Sequence, residues 1–332
     1  MNKKIIAAAV AATMTSVAIA DISITGAMKV NYANTDANGT VTNEVRTESN
    51  LYITGKSGDT TVYTELDYDT NSNKTAEADT DFAATNLDVE DQWLSTKIGD
   101  VAVKVGTWNG SDTIVSADAS RNQGRIEAKT SFQGFDITID QEQDVNTNGS
   151  TDSTNVAIGT TLGGVSLSAK KKNAAEEFKF STTVAGVDVA YHMVDDDAAN
   201  TDKSSLTLGT DISGVRVEYA QADADSSARI TGDSWFGDAA ALYVNSTTAG
   251  LAAGDDISGI KFKSDVAGNT VQAVFFSVDD ATSGQNDVDN TKLVVTRPLA
   301  GGTTLEVVYL STDASASAND YEMIDVELAV KF

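Results

Sequence analysis

From Asp21 to the last residue, apolar and polar side chains alternate with a period of two, segment after segment, with almost no helical periodicity. Ile22, Ile24, Met28, Val30 and Tyr32 share one face of the first segment, and Ser23, Thr25, Lys29 and Asn31 the other. Val45, Leu51 and Ile53 then oppose Glu44, Arg46, Glu48, Asn50 and Lys56, and Val62, Leu66 and Tyr68 oppose Tyr63, Glu65 and Asp67. The last segment sets Ile324, Val326, Leu328, Val330 and Phe332 against Asp325, Glu327 and Lys331. Successive side chains of a strand point to opposite faces, so the pattern predicts an all-β chain whose strands have one apolar and one polar face.

The punctuation is as regular as the strands. Tight glycine turns recur at Gly58, Gly99, Gly134, Gly164, Gly186, Gly214, Gly268 and Gly301. The other connections read as long and polar: NTDANGTVTN, DTNSNKTAEADTD, QDVNTNGSTDS, DDDAANTDK, DDATSGQNDVDN and STDASASAND. Short turns at one end and long loops at the other are the asymmetry of a transmembrane antiparallel β-barrel, with short periplasmic turns and long extracellular loops. Eight hairpins plus one strand at each end give 18 strands, or 16 if one tight turn is misread. The soft spot is residues 215–267, where Trp235, Phe236 and the run AAALYVN fit a long loop, a short helix or strands.

The polar face is charged rather than merely hydrophilic. Lys29, Arg46, Lys104, Arg125, Lys129, Lys179, Arg216, Lys261, Lys263 and Lys292 fall on it, as do Glu44, Glu48, Glu65, Asp67, Glu127, Asp136, Asp188, Glu218, Asp325 and Glu327. A β-sandwich also alternates, but its core cannot hold so many ions, each of which would cost several kcal/mol unpaired. The charged face is therefore wet, and a closed sheet with lipid outside and water inside is a pore. Five of the nine tyrosines, Tyr32, Tyr68, Tyr191, Tyr219 and Tyr309, lie on the apolar face near strand ends that run toward long loops. They form the expected aromatic girdle at one membrane interface, with Phe132 and Phe135 at the other.

The first twenty residues, MNKKIIAAAVAATMTSVAIA, read differently: Lys3 and Lys4, an apolar stretch, then Ala18-Ile19-Ala20. These are the three regions of a secretory signal peptide, which makes 1–20 a leader and 21–332 one barrel domain in the cell outer membrane. Cleavage takes the basic count from 23 to 21 against 49 acidic residues, leaving a formal charge of −28. Such acidity excludes nucleic acid as a partner. With no cysteine and one histidine, the chain has no disulfide framework, thiolate metal site or multi-histidine metal centre. No cofactor is expected beyond weakly bound Ca²⁺ or Mg²⁺ at the acidic loops.

Several stretches resemble the Gram-negative general (trimeric) outer-membrane porins. DQWLSTKIGDVAVKVG (91–106) is similar to the strand–turn–strand leading into that family's third loop, and QGRIEAKTSFQGFDITID (123–140) to the hairpin that leaves it. VELAVKF, ending in Phe332, resembles the terminal strand read by the barrel-assembly machinery. The resemblance implies a homotrimer among outer-membrane lipids and lipopolysaccharide, passing ions and small hydrophilic solutes by passive diffusion, and no enzyme. It also implies a third loop folded inward, with Asp112, Asp118 and Arg121 on the loop side of a constriction and Arg46, Lys104 and Arg125 on the basic wall. There are departures. Thr107 and Trp108 stand where the family commonly has an Arg, the loop at 109–122 is short and poor in acids, and the family usually has 16 strands.

Two other classes share part of this pattern. A secreted or surface Ca²⁺-binding adhesin would use acidic runs such as Asp195–Asp197, but none matches an EF-hand loop or a nonapeptide repeat. An outer-membrane hydrolase would need His192 as its base, and nothing in that segment resembles a triad.

Overall fold

The computed structural model describes residues 21–37, 39–69, 87–108, 124–143, 153–172, 175–196, 201–224, 256–279, 288–314 and 320–332. They form 18 strands. The first nine are β1 (Asp21–Ala37), β2 (Thr40–Ser57), β3 (Thr60–Asp69), β4 (Leu87–Ile98), β5 (Val101–Thr107), β6 (Gly124–Phe132), β7 (Phe135–Gln143), β8 (Ser153–Leu162) and β9 (Val165–Lys172). The rest are β10 (Ala175–Val184), β11 (Val187–Asp196), β12 (Thr201–Ile212), β13 (Val215–Ala224), β14 (Asp256–Val266), β15 (Asn269–Asp279), β16 (Val288–Pro298), β17 (Thr303–Ala314) and β18 (Tyr321–Lys331). Each strand pairs antiparallel with its sequence neighbours, and β1 pairs with β18, so one sheet closes into a barrel. The higher of the two expected strand counts is the observed one, and the first and last described residues, Asp21 and Phe332, lie at the short-turn end.

Turn chemistry explains the tight hairpins. Gln133-Gly134, Gly163-Gly164, Ala185-Gly186, Ser213-Gly214 and Ala267-Gly268 all place two successive residues at positive φ, about 51–58° and then 80–85°. That is the type I′ geometry, whose twist matches the flanking strands, with glycine taking the second position at no steric cost. Gly58-Asp59 and Gly99-Asp100 hold only their glycine at positive φ, the II′ pattern. Neighbouring turns are also tied together. The hydroxyls of Thr160, Thr182, Thr210 and Ser264 donate to the carbonyls of Gly134, Gly164, Gly186 and Gly214, at 2.8–3.2 Å.

One expected loop is strand instead. The composition of NTDANGTVTN predicts a long connection, yet β1 and β2 stay in register up to Ala37↔Thr40. Its polar residues lie beyond the apolar band, where both faces of a strand meet polar surroundings and alternation carries no signal. Links of only a few residues also join β9 to β10 and β11 to β12.

Parity in the barrel follows the sequence pattern. The large apolar side chains most open to the outside, among them Ile24, Val45, Ile126, Ile158, Leu162 and Ile212, all lie on the face expected to be apolar. Among the described residues no helix is long and apolar enough to cross a membrane; the strands present the apolar surface instead.

Candidate functional site: the inner wall of the barrel

Cross-strand register assembles the inner wall, so residues distant in sequence become neighbours. One row runs Tyr63, Trp93, Gly106, Arg125, Glu142 across β3–β7, and the next runs Ser95, Lys104, Glu127, Asp140, Asn155, Lys172 across β4–β9. Strands of such barrels tilt by ~35–45°, so a cross-strand row climbs the wall diagonally rather than circling it.

The rows hold a column of rings and cations. Tyr52 stacks on Tyr63 with centroids 6.5 Å apart, and Tyr63 on Trp93 at 5.1 Å, the planes within 20° and 21° of parallel. The Lys104 ammonium lies 4.4 Å from the Trp93 ring centroid and 4.1 Å from that of Trp108. The Arg125 guanidinium also lies over the Trp108 ring, 4.8 Å from its centroid. Desolvated cation–π contacts of this kind contribute up to ~2 kcal/mol each. Trp108, at the end of β5, is 7% exposed. The residue that departs from the expected Arg thus fastens the chain end to the wall.

Arg125 also anchors the strongest ion network of the described wall. It pairs with Asp140 and, at 3.1 Å, with Glu142, which in turn accepts from Lys172 at 2.8 Å. Asn155 donates to both carboxylates, at 3.3 and 3.0 Å. All but Lys172 are buried. Buried ions are tolerated only with partners of this quality, and removing one typically costs about 3–5 kcal/mol. Around the barrel Arg216 is held by Asp188 (2.7 Å), Glu218 (3.1 Å) and Asp211 (3.3 Å), with Lys261 on the other oxygen of Glu218.

The expected basic wall therefore divides. Arg46 pairs with Glu44 at 2.7 Å and stays half exposed on β2, while Lys104 and Arg125 both lie against the Trp108 ring. The three do not form one cluster. Asp112, Asp118 and Arg121 lie outside the described residues. Tyr32, Tyr68, Tyr191, Tyr219 and Tyr309 all face outward. The Tyr32 hydroxyl donates to Asn43 (2.8 Å) and that of Tyr219 to Gln221 (3.2 Å), polar residues one step toward the long-connection end. Phe132 and Phe135 are cross-strand partners facing outward beside the Gly134 turn.

His192 sits in a hydrogen-bonded cluster on the inner wall. Its Nε2 lies 2.6 Å from Glu177, which also accepts from Lys179 at 2.7 Å. Ser205 is directly across from His192 in the β11–β12 register. Among the described residues no group of three or more acidic or histidine side chains is placed to hold a metal ion.

Residues the sequence reading did not single out include Trp93, Asp140, Glu142, Asn155 and Lys172. A second surprise is apolar. Ala220, Ala222, Ile257, Val274, Phe276, Val278, Val288 and Leu310 face inward on β13–β17 and are fully buried or nearly so. Toward the long-connection end these strands are thus apolar on the inner face as well, while Arg216, Glu218 and Lys261 keep the charged wall nearer the short turns.

No protein-family model matches the chain, and no curated protein matches it in sequence. Solved structures do match in fold. OccK9 (OpdG) of Pseudomonas aeruginosa superposes with a TM-score of 0.70 at 11% identity, over 94% of this chain and 98% of that one. OccAB2 of Acinetobacter baumannii gives 0.68 at 9% identity, and P. aeruginosa OccK2 (OpdF), in complex with glucuronate, gives 0.67 at 9%, both with the same coverage. The fold is that of these β-barrels. The closed 18-stranded sheet departs from the 16 strands usual in the general trimeric type.

Proposed function

We propose that this chain is an outer-membrane channel: a water-filled barrel through which ions and small hydrophilic solutes diffuse passively. The observation that carries it is the closed sheet with opposite faces, apolar and tyrosine-edged outside, charged and hydrogen-bonded inside. A barrel leaves no unpaired strand edge in lipid, and only an aqueous interior accommodates so many ions. The outward tyrosines anchor the interface that faces the cell exterior, and the leader at 1–20 directs export. The fold likeness to channels of Pseudomonas and Acinetobacter supports the same reading, and the glucuronate complex of OccK2 makes sugar acids a first set of solutes to try.

The channel acts without catalysis or a resident cofactor. Divalent cations bind only weakly, at the acidic outer connections. The homotrimer, the lipopolysaccharide contacts and recognition by the barrel-assembly machinery come from the resemblance to general porins. Light scattering of the detergent-extracted protein tests the first, a monomer mass overturning it. Conductance of purified protein in a planar bilayer tests the channel itself.

A further inference from the structure

Two consecutive rows of inward-facing residues cross β9–β12. The first is Ser168, Lys179, His192 and Ser205, in direct register. The second, one step nearer the short turns, is Ser166, Ser181, Ala190 and Thr207. Apart from Lys179 and His192 these side chains are small, whereas the flanking wall carries the Arg125 network on one side and the Arg216 network on the other. The wall is therefore recessed here, under a hollow of about 540 Å³. That is within the ~300–1,000 Å³ range of small-molecule sites.

The hollow's hydroxyls are unengaged by the wall, and Ser205 lies deepest among them, at 5% exposure. Ser168, Ser181, Ser205 and Thr207 make no hydrogen bond to the described residues. Elsewhere on the inner wall hydroxyls at the turns are taken, as Thr183 is by Asp188 (2.7 Å) and Thr270 by Asp265 (2.7 Å). With strands ~4.8 Å apart, Ser181 on β10 lies about 10 Å from Ser205 and Thr207 on β12, a gap that one sugar-sized molecule bridges, whereas Ser168 on β9 is about 14 Å from β12 and forms the edge of the hollow. A hydroxyl both donates and accepts, and so does each hydroxyl of a polyol.

Charge narrows the ligand class. Lys179 and His192 converge on the same Glu177 oxygen, at 2.7 and 2.6 Å, and Asp136 stands on the rim. The lining thus offers hydroxyls around a compensated cation. We infer that this hollow is a docking site for a neutral polyhydroxylated solute of about monosaccharide size. The inference rests on the channel reading above.

The test is single-channel recording of the full-length protein in a planar bilayer, titrated with glucose, and repeated with gluconate. Saturable interruptions of the current by glucose are expected. In the variant Ser181→Ala/Ser205→Ala/Thr207→Val they should weaken roughly tenfold or more, since three hydrogen bonds are lost. Open-channel conductance should stay unchanged, which reports that the variant has folded. Ser95→Ala, on the inner wall outside the hollow, should bind glucose as the parent does. A current that falls only with solution conductivity, or an unchanged response in the triple variant, overturns the site. Tighter block by gluconate overturns the neutral class. Absence of any conductance overturns the channel reading itself, and this one with it.

Discussion

The barrel is closed by Gly26 and Phe332, whose backbones exchange two hydrogen bonds: Gly26 N–H to the Phe332 carbonyl at 2.8 Å, and Phe332 N–H to the Gly26 carbonyl at 3.0 Å. The Phe332 ring lies over the bare Cα of Gly26, so that a Cβ there would meet ring carbon Cζ at 2.6 Å. The terminal aromatic thereby covers a glycine gap in the outward face and extends the β1–β18 ladder by one residue pair. An open edge in lipid would leave these backbone groups unsatisfied, at several kcal/mol each.

Replacing Gly26 by Val should therefore displace the ring and impair closure, with a cost in the ~1–3 kcal/mol range of overpacked sites. Deleting Phe332 should do the same by removing the last pair of the ladder. The measurement is the fraction of heat-modifiable, folded barrel on a denaturing gel. Conductance per channel among the molecules that do fold should be unaltered.

Arg125→Met should destabilise the barrel by about 3–5 kcal/mol, because it leaves Asp140 and Glu142 buried without their guanidinium. The triple variant Arg125→Met/Asp140→Asn/Glu142→Gln should recover most of the loss, since the charges that needed compensation are gone. Urea-denaturation midpoints of the two variants check the expectation. A single variant as stable as the parent would show that the network contributes little.

How much of this was legible beforehand depended on whether the signal was local. Face assignment was readable because parity is a property of one strand. The tight turns were readable because each carries its glycine at a fixed place. The strand extension at 33–44 was hidden because Asn34, Asp36 and Asn43 sit above the apolar band, where a strand and a loop have the same composition. The inner apolar wall was hidden for the opposite reason: VQAVFFSV of β15 is apolar at both parities, so it shows no alternation to read. The column Trp93, Lys104, Trp108, Arg125 depends on the stagger between strands, which parity does not supply.

The column changes the roles expected of the basic residues. Lys104, enclosed by two indoles, should influence ion selectivity less than Arg46, whose side chain remains 52% exposed beside Glu44. Arg46→Gln should move the reversal potential in a KCl gradient toward cation preference more than Lys104→Gln does. The reverse order would place the indole-held lysine in the ion path.

The channel as a whole should prefer cations modestly. On the described inner wall Lys29, Lys129, Lys179 and Lys261 each pair with a carboxylate, and the chain's formal charge of −26 leaves an excess of acid. Exposed charges act over a screening length of ~10 Å at 0.1 M salt, so the preference should shrink as salt rises. Reversal potentials with and without a chelator measure it. Anion preference under both conditions would show that the basic wall outweighs the net charge.

The most direct test of the account is the conductance of purified, folded protein inserted in a planar bilayer. Stable, stepwise, ohmic currents in KCl without any cofactor are the predicted result. Verified insertion of a folded barrel with no conductance above the bare bilayer would contradict it.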